Sequence, residues 1–303
     1  MKTVAIETVS ESNGVLAVRN RAATDFAQLV KARLTLLVLL TTAIGYYLGA
    51  ENPISYFGLF HVVFGTALAA ASAAALNQWW ERRADALMHR TRTRPIPAGR
   101  MLPRDALLIG TLLAIAGIIY LAFACNAVTA CLAALTITLY IFAYTPLKRI
   151  STTNTLVGAI PGAIPPMIGW AAARGTLDAG AWSLFAILFF WQMPHFFALA
   201  WMYREDYARA GFRMMSSGDE TGARSSSQSV LFCMLLLIVG AVPAYLGLAN
   251  AIYVPIAFAL SGLFIAVAMQ FHRRRTAQSA RALFVASIVY LPLLLGALVL
   301  TKT

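Results

Sequence analysis

The chain has 303 residues, 60% of them hydrophobic and only 12% charged, whereas a soluble domain of this length carries about twice that charged share. Apolar runs of about 18 to 22 residues recur from end to end, which excludes an ordinary soluble fold and predicts an all-α polytopic membrane protein. The net charge of +12 suggests a nucleic-acid partner at first sight, but its distribution along the chain excludes one.

The first 26 residues are polar and include Glu7, Glu11 and Asp25. They lack the apolar core of a signal peptide, and the acids disfavour a transit peptide. They read as a mobile cytoplasmic tail ahead of a transmembrane domain over 27–303. About nine spans are expected, at 27–49, 54–79, 105–124, 127–145, 153–173, 181–203, 228–248, 251–271 and 281–301. Between them, 22 of the 24 Lys and Arg fall on one side, leaving only Arg174 and Lys302 opposite. The positive-inside rule then predicts a cytoplasmic N-terminus and an outside C-terminus, with the basic charge facing anionic headgroups of the lipid bilayer. The acidic tail favours a bacterial plasma (inner) membrane over a mitochondrial inner membrane. Cys125, Cys131 and Cys233 are scattered, with no CxxC spacing, and read as small packing residues.

The unusual polar residues collect in three segments on the basic side. The first runs from Asn77 to Arg104. Asn77, Glu81 and Asp85 fall at i, i+4 and i+8, so one helical face carries three oxygen-bearing side chains. Hard oxygen donors in that pattern suit Mg²⁺, which usually brings phosphate with it. Arg90 and Arg94 follow at i, i+4 if the helix persists, before Pro95 and Pro97 end it. Carboxylates with guanidinium groups beside them suit a diphosphate, although a salt-bridged cytoplasmic loop would read similarly.

The second segment is Tyr144-Thr-Pro-Leu-Lys-Arg149, where Pro146 ends a span and Lys148 and Arg149 follow as phosphate contacts or as ordinary anchors. The next span contains Asn154, Gly158, Pro161, Gly162, Pro165, Pro166 and Gly169, which predicts kinks and close backbone approach. The third segment, Trp191 to Met215, places His195 mid-span and Arg204, Glu205 and Asp206 at the surface. On a continuous helix, His195 and Asp206 share a face about 16 Å apart. A histidine on an apolar helix is more often a packing residue than a ligand.

Together these segments resemble the UbiA-type intramembrane prenyltransferases. The superfamily pattern is Asn-x-x-x-Asp-x-x-x-Asp after the second span and a second acidic motif after the sixth. Asn77, Glu81 and Asp85 match the first, with Glu at the middle position, and the second is reduced to Arg204-Glu-Asp-Tyr207 with Ala210 where another acid would stand. DALMHRTRTRP (85–95), YTPLKR (144–149), WQMPHF (191–196) and DYARAGFRMM (206–215) are similar to the haem-farnesylating branch, whereas Lys31-Ala-Arg33 replaces its more usual Lys-Pro-Arg.

The resemblance implies a helical bundle around a central cavity, with farnesyl diphosphate and haem B as substrates and haem O as product. It implies Mg²⁺ and diphosphate at Asn77, Glu81, Asp85 and Asp206. Tyr144, Lys148, Arg149 and Arg204 are expected to bind substrate. Arg90 and Arg94 serve either the haem propionates or the diphosphate, and His195 acts at the haem. Haem B would be a substrate rather than a resident cofactor, and haem A synthase or terminal-oxidase assembly factors are candidate partners. The alternatives are prenylation of an aromatic quinone precursor, which gives no task to His195 or the arginine pair, and a transporter with a Mg²⁺ or phosphate path. A transporter would need polar residues through the membrane depth, whereas here they crowd at one face.

Overall fold

In the computed structural model, which describes residues 21–303, nine helices among the described residues are long and apolar enough to cross a bilayer. We number them α1 (Ala32–Gly49), α2 (Tyr56–Asp85), α3 (Pro103–Ala124), α4 (Ala127–Leu147), α5 (Asn154–Arg174), α6 (Ala179–Met202), α7 (Ala223–Tyr245), α8 (Tyr253–Arg274) and α9 (Ala277–Leu300). The expected tail lies largely outside the described residues. Its last part joins residues 21–29, which are helical.

Helices suit this chain because a bilayer offers backbone groups no water, so each span must satisfy its own. Where spans begin, side chains take up free N–H groups. The Ser55 hydroxyl accepts from Gly58, the Asn126 carbonyl from Thr129, and the Asp178 carboxylate from Gly180. Thr276 and Ser279 form a reciprocal box at the start of α9.

The packing divides into two apolar cores. One joins α6, α7, α8 and α9 around Leu184, Ile187, Phe264 and Leu294, while the other joins α2, α3, α4 and α5 around Val62, Leu121, Ala133 and Ile168. Between them α5 is the most enclosed span, 67% buried. Its breakers act as expected: the helix stops at Ala163 and restarts at Pro165. Its glycines admit neighbours closely. A Cβ at Gly169 would sit 1.9 Å from the Thr42 carbonyl of α1, and one at Gly45 would sit 2.0 Å from that of Pro166.

Three local features differ from the expectations. First, α2 outruns the apolar boundary expected near residue 79 and continues to Asp85, so the whole oxygen-bearing stretch is helical, as the i, i+4, i+8 spacing of Asn77, Glu81 and Asp85 expects. Second, the chain then enters successive turns, so Arg90 and Arg94 are not a helical i, i+4 pair. Asp85 draws the chain back instead: Thr91 Oγ1 donates to its carbonyl and Arg94 to its carboxylate. Third, α6 ends at Met202, and a separate short helix, Arg204–Arg209, begins after Tyr203. The continuous helix that would align His195 with Asp206 does not exist.

Candidate active site

The last turns of α2 form one wall of a cavity of about 670 Å³. Asn77, Glu81 and Asp85 all line it, and all are buried, at 1%, 7% and 0% exposure. On a straight helix they spread over roughly 80° of surface, which is narrow enough for one site. The facing wall comes from α4, whose last turns widen into a π-helical stretch over Leu139–Tyr144. That widening, fixed by Thr145 Oγ1 donating to the Tyr140 carbonyl at 2.8 Å, presents Tyr140 and Tyr144 to the cavity.

A different cation meets each oxygen-bearing residue. Lys31 Nζ donates to Asn77 Oδ1 at 2.7 Å, Lys148 Nζ to Glu81 Oε1 at 2.7 Å, and Arg94 Nη1 to Asp85 Oδ2 at 2.7 Å. The three come from three segments: a left-handed joint before α1, the end of α4, and the turns after α2. Asn77 Nδ2 donates to Thr145 Oγ1, which turns the amide oxygen inward. Asp85 Oδ1 is buried with no hydrogen-bond partner.

Five cationic side chains line the cavity (Lys31, Arg33, Arg90, Arg94 and Lys148) against two carboxylates, an imbalance that favours a polyanionic guest. Burial, reinforced by Arg94, pulls Lys31 down to about 7. Burial also works against the Lys148 ammonium, but Glu81 with Tyr144 and Tyr140 outweighs it and holds Lys148 above the usual lysine range.

Two carboxylates, one of which keeps a buried oxygen without a partner, and an amide oxygen fit Mg²⁺, which typically takes one or two carboxylates and leaves the rest of its shell to phosphate and water. Among the described residues no group of three or more His, Cys, Asp and Glu stands close enough to cage a metal alone.

The other expected site residues are placed differently. Arg90 lines the cavity at its exposed rim, with its guanidinium over the rings of Tyr203 at 5.1 Å and Tyr207 at 4.6 Å. Asp206 does not line the cavity. Its carboxylate accepts the backbone N–H of His89 and pairs with Arg209. Burial would raise its pKa, but these partners hold it below the usual carboxylate range.

Arg149 lines a smaller neighbouring cavity of about 320 Å³ behind Glu81, and Arg204 lies over the Trp201 ring at 4.7 Å, outside the main cavity. His195 sits one helical turn from Leu199, which does line the cavity, and so occupies the same face of α6 at a different depth. Its Nδ1 is 2.8 Å from Ser287 Oγ, and its ring stacks on Trp191.

Sequence reasoning missed Lys31, Tyr140 and Tyr207 as cavity residues. Lys31 counts in the sequence as one more anchoring charge. Only the left-handed backbone at φ 49°, tucked between residues 21–29 and α1, turns it inward.

The chain resembles known proteins over most of its length. Residues 38–292 match the UbiA prenyltransferase family. A relative from Solibacter usitatus named protoheme IX farnesyltransferase is 43% identical over 287 residues, covering 92% of this chain and 98% of that protein. Among solved structures, one from work on digeranylgeranylglyceryl phosphate synthase superposes with a TM-score of 0.78 at 15% identity, covering 92% of this chain and 98% of that chain. A UbiA homolog from Archaeoglobus fulgidus bound to DMAPP and Mg²⁺ superposes with a TM-score of 0.68, also at 15% identity, covering 90% of this chain and 99% of that chain. By sequence over nearly its whole length and by fold, the chain belongs to the UbiA prenyltransferase family.

Proposed function

We propose that this chain transfers the farnesyl group of farnesyl diphosphate to a vinyl group of haem B, with addition of water, to give haem O. The observation that carries this reading is the convergence of Asn77, Glu81, Asp85, Lys31, Arg94 and Lys148 on one cavity, in a chain 43% identical to a protoheme IX farnesyltransferase. Mg²⁺ bound by Asn77, Glu81 and Asp85 would neutralise diphosphate charge and make it a competent leaving group. The Archaeoglobus homolog bound to DMAPP and Mg²⁺ supports a divalent ion beside a prenyl diphosphate.

The chain's own residues do the rest. Lys31, Arg94 and Lys148 offer N–H donors to the diphosphate oxygens as the C–O bond breaks and the electron pair leaves with diphosphate. The Tyr144 ring already faces a cation, with Lys148 Nζ 4.4 Å from its centroid, and ring faces of this kind favour the allylic cation left behind. The surrounding bundle excludes bulk water that would quench it. The haem vinyl carbon then bonds to the farnesyl carbon. Water adds to the resulting cation and releases one proton.

We assign His195 to the haem side: Ser287 fixes one ring nitrogen, and no described residue engages Nε2. The charge asymmetry supports a cytoplasmic N-terminal end for this site, in a bacterial plasma membrane.

The test is mass spectrometry of pigment after the purified protein is incubated with farnesyl diphosphate, haem B and Mg²⁺. The expected product is haem carrying a hydroxyethylfarnesyl group, and its loss on chelation of Mg²⁺. Modification of an aromatic quinone precursor with haem unchanged contradicts the reading.

A further inference from the structure

The two arginines that follow α2 are not equivalent. Arg94 reaches inward to buried Asp85 at 2.7 Å, beside the diphosphate donors. Arg90 stays at the exposed rim, and among the described residues its guanidinium makes no hydrogen bond or ion pair. What holds it is the corner beyond α6, because the rings of Tyr203, at the joint, and Tyr207, in the short helix, lie under the guanidinium.

A second set of contacts fixes the backbone that carries Arg90. The Asp206 carboxylate accepts the His89 N–H and is drawn on by the Arg90 N–H as well. Arg209 pairs with that carboxylate and donates to His89 Nε2. Met88 and Tyr207 bury apolar surface under the same junction. A guanidinium supported on ring faces with its donor edge unused presents a ready fork for a carboxylate.

We propose that Arg90 is the acceptor-side anion clamp, taking a carboxylate of the tetrapyrrole at the cavity mouth while Arg94 serves the diphosphate, and that Asp206 positions Arg90. This rests on haem B, which carries two propionates, being the acceptor. In this chain the residual second acidic segment therefore acts as a clasp between two loops. Asp206 differs from Asp85 in the kind of partner it has. Asp85 faces the cavity with a free oxygen, whereas Asp206 is spent on backbone N–H groups that cannot swing aside.

The experiment compares wild type, Arg90→Gln, Arg94→Gln and Asp206→Asn with haem B and with its dimethyl ester, in which both carboxylates are blocked. Arg90→Gln is expected to weaken haem B by about tenfold or more, the scale of one lost charge-assisted contact, both in KM and in a titration of the haem absorption band. Its KM for farnesyl diphosphate should stay within about twofold, which also shows that the variant folds. Arg94→Gln should do the reverse. Wild type should prefer the diacid over the ester, and Arg90→Gln should not distinguish them. Asp206→Asn should raise the haem KM and speed amide exchange at residues 89 and 90, with the Mg²⁺ dependence unchanged.

If wild type modifies haem but Arg90→Gln leaves haem binding intact, or wild type uses the ester as well as the diacid, the clamp is wrong while the parent reading stands. If Asp206→Asn shifts the Mg²⁺ requirement with amide exchange unchanged, the clasp is wrong. Wild type that modifies no haem overturns both the clamp and the parent reading.

Discussion

Each residue of the Asn77, Glu81, Asp85 face is met by its own basic side chain, while Asp85 Oδ1 stays unpartnered. The Glu81–Lys148 pair is almost fully enclosed, with 7% and 11% of the side chains exposed. Removing one partner of such a pair leaves a buried charge and costs about 3–5 kcal/mol, whereas removing both can be nearly neutral. Lys148→Met should therefore lower thermal stability in detergent markedly, and Glu81→Gln with Lys148→Met should recover most of it while remaining inactive. Equal destabilisation of the single and double variants would show that the pair is not what stabilises this junction.

His195→Ala should lower haem turnover by about ten- to a hundredfold, the scale of losing an oriented ligand, with the farnesyl diphosphate KM unchanged. Unaltered kinetics would make it a packing residue. The oxygen face was legible because i, i+4, i+8 is a statement about geometry once a helix is granted. Lys148 and Arg94 were legible as phosphate contacts and Lys31 was not, but which cation meets which oxygen was hidden in all three, since Lys31, Lys148 and Arg94 are separated in sequence from their partners by 46, 67 and 9 residues. No local pattern encodes such pairings.

At the level of elements, hydrophobic length located the spans and breakers located the kink in α5, because both are local properties of the chain. What hydropathy could not see was that α2 runs two turns past its apolar stretch, or that α6 stops at Tyr203. Charged residues continue α2 because Glu81 and Asp85 find partners at the cavity in Lys148 and Arg94.

The glycines of α5 and α1 set how closely these two helices approach. Gly169→Val places atoms against the Thr42 carbonyl and should destabilise by about 1–3 kcal/mol or more, read as a lower melting temperature in detergent. Gly262→Ala, where an added Cβ meets nothing within 4 Å, should not. Equal effects of the two changes would mean that the α1–α5 contact does not limit stability.

For the whole molecule, the charge asymmetry that predicts orientation has two exceptions, and both have tasks at one helix end. Arg174 Nε donates to the Gly49 carbonyl, and Lys302 Nζ donates to the carbonyls of Tyr47 and Ala50, so the two cations complete the unpaired C-terminal end of α1. Their positive charge is thus explained by local capping, and the remaining basic residues keep their meaning for topology. A reporter that is active only outside the cytoplasm, fused after Thr303, should be active. An inactive reporter, with a cytoplasmic one active at the same position, would invert the orientation.

The central claim is that Asn77, Glu81 and Asp85 would hold a divalent ion that neutralises the substrate diphosphate. Electron paramagnetic resonance with Mn²⁺ in place of Mg²⁺ and farnesyl diphosphate present tests it directly. Wild type should show a bound ion with phosphorus hyperfine coupling, and Asp85→Asn should lose it. Tight Mn²⁺ binding with unchanged coupling in Asp85→Asn would contradict the account.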